Sequence, residues 1–177
     1  MRIGIFAPLT NPHHTPDYVA ALGTGAEERG FHSLWLGEHV VLFDDYASQY
    51  PYAEDGRIPV GGDRGLLDPV AGLGFLAAVT KRIRLGTAIC LVPQRNPVYT
   101  AKEIASLDYL SGGRIDFGVG IGWLKEEFYA LQVPFARRAD PTREYLEVIS
   151  RLWCDAEAEF TGEFYQLPAC RQNPKPV

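Results

Sequence analysis

Short apolar runs alternate along this chain with longer stretches in which apolar residues recur at three- and four-residue spacing. Arg2-Ile-Gly-Ile-Phe-Ala7, Ser33-Leu-Trp-Leu36, Arg84-Leu-Gly-Thr-Ala-Ile89 and Arg114-Ile-Asp-Phe-Gly-Val119 read as four short buried strands. The first helix opens at Thr15, with Pro16 at its first position and Asp17 complementing the positive end, and stops at Gly30. Asp68-Pro69 opens a second helix running to Val79, and Asn96-Pro97 a third reaching about Leu110. A short helix near Lys125–Leu131 and a longer one from Pro141 to Trp153 follow. Ala158–Tyr165 reads as a small hairpin around Thr161-Gly162, and Pro168–Val177 as irregular.

Strand–helix–strand alternation predicts a parallel sheet covered by helices. An open doubly wound sheet and a barrel both fit that order. An eight-fold barrel takes about 250 residues, whereas here four strands consume the chain, so a barrel would be present only as its first half. Two segments break the regularity. Residues 37–67 carry Tyr, Asp, Gly and Pro without a period, and a loop of that length inside a compact domain points to function. Gly118-Val-Gly-Ile-Gly-Trp123 forms a Gly-rich turn at the carboxyl end of the fourth strand, the side on which parallel α/β folds hold cofactors. It is not a Rossmann turn: the dinucleotide fingerprint wants Gly where Trp123 or Lys125 stands, and it follows the first strand rather than the fourth.

Composition narrows the class. The 177 residues are 46% apolar with a net charge of -5, and no basic patch suggests nucleic acid or a membrane surface. No apolar run approaches membrane-spanning length, and the start lacks the pattern of a signal peptide. Three cysteines without C-x-x-C spacing fit a reducing, cytoplasmic setting with neither disulfides nor a zinc site. Candidate chemistry is sparse. His39 and Glu38 close the second strand, and taken alone they read as a hydrogen-bonded couple under the long loop. Lys125, Glu126 and Glu127 read as a solvated first helical turn, Arg95 as a loop cation, and His13 and His14 as solvent-facing. No H-E-x-x-H or Cys/His cluster supports a metal.

Three blocks together carry a resemblance. They are Gly30-Phe-His-Ser-Leu-Trp-Leu-Gly-Glu-His39; Arg84-Leu-Gly-Thr-Ala88 with Pro93-Gln-Arg-Asn-Pro97, Ala101-Lys102 and Leu107-Asp108; and Leu110-Ser-Gly-Gly-Arg114 into Gly118–Trp123 with Glu126-Glu127. In order and spacing they resemble the bacterial luciferase-like flavin and deazaflavin oxidoreductases, in particular the subgroup using coenzyme F420. The resemblance implies a TIM (β/α)8-type barrel, here its first half as one domain over residues 1–177 ending before strand five. It implies hydride transfer between F420 and a small-molecule substrate, with an FMN-dependent monooxygenase as the alternative. It places His39 against the flavin ring with Glu38 orienting the imidazole. A non-prolyl cis bond at Ala88–Ile89, or at Thr87–Ala88, would back the ring, Arg95 would reach the cofactor, and Gly120, Ile121, Gly122 and Trp123 would line the site. Trp123 replaces an acidic residue of sugar-phosphate-oxidising relatives, so that chemistry does not carry over. A third expectation, of another class, is a non-catalytic fragment that only folds or associates. Open strand edges also predict homo-oligomers.

Overall fold

A computed structural model describes residues 1–177. Its frame is a parallel sheet of β1 (Gly4–Phe6), β2 (Ser33–Leu36), β3 (Arg84–Thr87) and β5 (Ile115–Asp116), in the order β1-β2-β3-β5. A second two-stranded parallel sheet continues it, with β4 (Cys90–Leu91) beside β6 (Val119–Gly120). The helices α1 (Pro16–Glu28), α2 (Pro69–Val79) and α3 (Pro97–Ser111) connect these strands. All three start as the sequence dictates: Thr15, Asp68 and Asn96 accept from N–H groups of the first turn, and each is followed by proline. Gly112, with φ of 74°, gives α3 a left-handed end that L residues with a Cβ resist.

The alternation of the strands puts Leu34, Leu36 and Leu85 on the helix-covered face, where they join Val19, Leu73, Leu76 and Leu107 in one core. A second core gathers Cys90, Val92 and Ala101 against α5 (Ala139–Cys154) and the hairpin of β7 (Ala158–Thr161) and β8 (Gln166–Cys170). The opposite face of the sheet is polar and half-open. Trp35 lies over Gly86 there and donates to Ser33 Oγ at 2.8 Å, and Arg84 forks onto Asp116 at 2.8 and 2.6 Å. Phe6 on the edge strand is 56% exposed, so nothing in the chain covers this part of the face. No helix is long and apolar enough to cross a membrane.

Three expectations shift. The third and fourth strands are each interrupted: between the paired positions Gly86–Asp116 and Cys90–Val119 the third strand has three residues, Thr87 to Ile89, against two, Phe117 and Gly118, in the fourth. The third strand therefore carries one extra residue, a bulge, and its Ala88–Ile89 bond is cis. The hairpin's second strand runs through Pro168 instead of ending before it, because Pro168 lies in a strand paired on one side only and owes no ladder bond. The last helix begins at Ala139, two residues before Pro141, where proline still fits the first turn.

At the other end of the sheet, Glu27 of α1 accepts from the N–H groups of Lys81, Arg82 and Ile83 at 2.9, 2.5 and 2.9 Å, fixing the turn into β3. Partial burial opposes its charge, but the three N–H groups and Arg82 outweigh that and hold the carboxyl at about 2. A carboxyl depressed in the fold stabilises it above the unfolded value and loses that contribution as pH falls through the folded one. Glu27→Gln is expected to lower unfolding free energy by about 2 kcal/mol at neutral pH. Urea denaturation across pH should show the gap to the parent closing between pH 4.5 and about 2; a gap independent of pH would contradict it.

Candidate active site

The carboxyl ends of the strands open onto a cleft of about 900 Å³. Phe6 and Pro8 come from the first strand's exit, Gly37 to His39 from the second, Ala88 and Ile89 from the bulge, and Gly120 to Trp123 from the turn after β6. The long loop supplies the outer wall, including Tyr50, Tyr52, Ile58 and Val60. Of the residues singled out from sequence, His39, Glu38, Ala88, Ile89, Gly120, Ile121, Gly122 and Trp123 border this one cavity; Thr87 and Arg95 do not.

The bulge is built by hydrogen bonds that only a glycine at 118 permits. The Gly118 carbonyl accepts from Thr87 Oγ1 at 2.7 Å and from Cys90 N at 2.8 Å, and the Ala88 N–H donates to Leu36 O at 2.6 Å. Thr87 is thus spent on the neighbouring strand, behind the wall. A Cβ on Gly118 would stand 2.2 Å from the Thr87 carbonyl oxygen. The small residues Gly37, Ala88 and Gly120 leave the floor of the cleft free for a flat group.

Glu38 does not orient His39. Its side chain is 2% exposed and turns under the strand end, where it accepts from the Leu91 N–H at 2.5 Å and from Arg95 Nε and Nη2 at 2.8 and 2.5 Å. Arg95 also reaches Asp68 at 3.3 Å and Glu103 at 3.1 Å. Burial opposes its charge, yet the Glu38 carboxylate raises its pKa above the ordinary arginine value. Arg95 is therefore a clamp joining β2, α2 and α3, not a cation aimed into the cleft. Burial, then the charge of Glu38, pushes the Cys90 thiol far up, which removes it as a nucleophile.

The partner of His39 is Glu127, on α4 (Lys125–Ala130). His39 Nδ1 lies 3.1 Å from Glu127 Oε2, and that carboxylate also accepts from Gln94 Nε2 at 3.0 Å and from the N–H groups of Val40 and Val41 at 2.6 and 3.3 Å. Its side chain is fully buried, the opposite of a solvated helical turn. Burial opposes ionisation, but the bonds from His39, Gln94 and Val41 prevail and hold the carboxyl below its usual range. A carboxylate beside Nδ1 requires the proton there, so Nε2, which has no partner in the chain, is left to face a ligand. The adjacent Glu126 accepts from Ala47 N, Ser48 N and Ser48 Oγ at 2.8, 3.2 and 2.6 Å, pinning the loop. One signal for Glu127 was present in the sequence: Leu124, Phe128 and Leu131 form an apolar stripe, and Glu127 sits on it.

Arg138, which no local pattern singles out, donates through Nε to Ile121 O and Gly122 O at 3.1 and 3.0 Å and stacks 3.8 Å over Phe135. It holds the turn at Gly122, whose φ is 73°. Trp123 packs with His39, Tyr46 and Tyr50 at ring distances of 5.9, 5.7 and 5.1 Å.

The chain is similar to known proteins. The chain is 40% identical over all its residues to an uncharacterized protein of Mycobacterium tuberculosis, of which it spans 62%. It superposes on the monooxygenase RslO1 from Streptomyces bottropensis with a TM-score of 0.73 and 30% identity, covering 99% of this chain and 52% of that one. The coenzyme F420-dependent tetrahydromethanopterin reductase of Methanopyrus kandleri aligns with a TM-score of 0.72 and 25% identity, over 99% of this chain and 46% of the other. The family model for luciferase-like monooxygenases matches residues 1–177. With its TIM-barrel-type strand–helix order and a cleft at the strands' carboxyl ends, the chain belongs to the luciferase-like monooxygenase family.

Proposed function

We propose that this chain is the first four strand–helix units of an F420-dependent oxidoreductase, one domain that further strands complete to a (β/α)8 barrel. The observation that carries the reading is the His39–Glu127 pair, which leaves a partnerless Nε2 on the same cleft as the Ala88–Ile89 bulge and the Gly120–Trp123 turn. The site's shape fits a planar ring: a Cβ on Gly37 would come within 3.4 Å of the Ala88 oxygen, and one on Gly120 would overlap the Ile89 side chain. Ala88 and Ile89 would support the ring, and the turn at Gly120 to Gly122 would lie beside its anionic tail. When bound, a deazaflavin supplies hydride chemistry.

The chain's own contribution is proton handling and orientation. His39 Nε2 takes the proton from a substrate hydroxyl as its carbon gives up hydride, or returns it to a carbonyl oxygen in the reverse direction. Glu127 keeps the acceptor nitrogen turned to the cleft and offsets the positive charge that the ring acquires. Trp123 limits where the substrate can sit. Exposed strand edges at β1 and β5 favour homo-oligomers, and a cytoplasmic setting accords with three free cysteines.

Titration with F420 and with FMN, each followed by its absorption spectrum, separates the readings. F420 is expected to bind more tightly than FMN. His39→Ala in the complete protein should retain F420 while losing turnover by roughly 10²–10³-fold. Tight FMN with no F420 binding would replace the proposal by an oxygen-using FMN monooxygenase, and no binding of either would leave a non-catalytic fragment.

A further inference from the structure

The outer half of the cleft has a chemical character that the cofactor reading does not explain. Its wall is a relay of aromatic rings: Trp123 meets Tyr50 at 5.1 Å, and Tyr50 meets Tyr52 edge-on at 5.6 Å. Tyr52 is 85% exposed although it borders the cavity, so a large ring face stands ready at the mouth. Ile58 and Val60, half-buried on the same loop, line the cavity as well.

Charge is the second observation. Three bordering residues can carry it: Glu38, His39 and Arg138. The Glu38 carboxylate is consumed by the Leu91 N–H and Arg95. Arg138 is turned onto the carbonyls of Ile121, Gly122 and Phe135 and the face of Phe135, so its charge lies at the Gly120–Gly122 turn rather than on the loop wall. The Nδ1 edge of His39 is held by Glu127. The loop wall of Tyr50, Tyr52, Ile58 and Val60 carries no charge, so a carboxylate, phosphate or ammonium pressed against it would lose water without a counter-charge beside it, which is unfavourable. A neutral flat molecule meets no such penalty and gains ring contact.

We infer that the loop-built outer cleft selects a neutral, planar organic substrate, recognised by stacking on Tyr52 and Tyr50 beside Trp123. This deepens the oxidoreductase reading and rests on it for the word substrate, but the binding preference stands on the wall alone. The loop is built to hold such a shape. Ile58 N–H donates to the Tyr46 hydroxyl at 2.8 Å, the Arg57 guanidinium stacks 4.5 Å over the Tyr46 ring, and Glu126 secures Ala47 and Ser48.

Three probes built on the same acetylphenyl ring test it: 4-methylacetophenone, 4-acetylbenzoate and the 4-acetylbenzylammonium ion, with affinities measured by ligand-detected NMR on the full chain. The neutral ketone is expected to bind about tenfold or more tightly than either charged analogue. Tyr52→Ser, at an exposed position that should leave thermal unfolding unchanged, is expected to weaken it about fivefold, and Tyr50→Leu by a similar factor. Equal or tighter binding of a charged probe, an unchanged affinity in Tyr52→Ser, or no saturable binding of the ketone would each overturn the inference. F420 titration of the same samples keeps the two readings apart. Neutral selectivity without F420 binding would sink the cofactor assignment alone, and F420 binding without selectivity would sink the outer site alone.

Discussion

Glu127→Gln is expected to lower turnover of the complete protein about 10²-fold and its stability by roughly 2–3 kcal/mol. The reason lies in the count of donors. His39 Nδ1, Gln94 Nε2 and the N–H groups of Val40 and Val41 all point at one buried carboxylate. A glutamine keeps one accepting oxygen and puts an NH2 where the other stood. If the oxygen stays with the backbone donors, the NH2 faces His39 and Gln94. The imidazole must then accept at Nδ1 and carry its proton on Nε2, so the nitrogen facing the cleft changes from acceptor to donor. Nitrogen-15 chemical shifts of the ring should report the Nδ1–H tautomer in the parent and Nε2–H in the variant. The parent's stability from Glu127 should be complete above pH 4.5 and fall away on acidification through its depressed pKa, while the variant lacks that loss. Unchanged ring shifts together with unchanged turnover would show that Glu127 only supports the loop.

Gly118→Ala is expected to cost about 3 kcal/mol and to abolish cofactor binding. The added Cβ would lie 2.2 Å from a backbone oxygen, Thr87 O, in a segment tied by Thr87 Oγ1 to Gly118 O, so relief requires opening the bulge. Gly120→Ala makes the informative contrast. Its Cβ would meet Ile89 Cδ1 at 1.7 Å, but that atom is the tip of a flexible, 39% exposed side chain that can rotate away. A cost of about 1 kcal/mol is expected there. Urea denaturation of both variants, with F420 titration, checks the pair; equal losses would contradict the backbone-clash argument.

Local chemistry made most of the frame legible before any fold was known. Caps at Thr15, Asp68 and Asn96 act within one helical turn, so they name helix starts regardless of what packs above. Apolar runs around Leu34 and Leu85 announce burial under helices, hence a parallel sheet covered on that face. The Gly-rich turn announced a close approach of backbone. Glu38 and Glu127 were misassigned for one reason: neighbours in sequence need not be neighbours in space. Glu38 adjoins His39, but past the end of β2 its side chain turns under the strand end to Arg95 while His39 turns to Glu127. Glu127 lies 88 residues away and arrives only when α4 packs onto the strand end.

The sequence by itself determined the order of strands and helices, the glycine positions that leave a flat floor, and the family blocks, because each depends on short-range backbone sterics or on a linear pattern. Tertiary structure alone decided which carboxylate meets His39, that Arg95 and Thr87 are spent on structure, and that the loop's tyrosines wall the cleft. Those outcomes turn on pairing energies between residues far apart in the chain, where burial selects the partner and no local pattern records it.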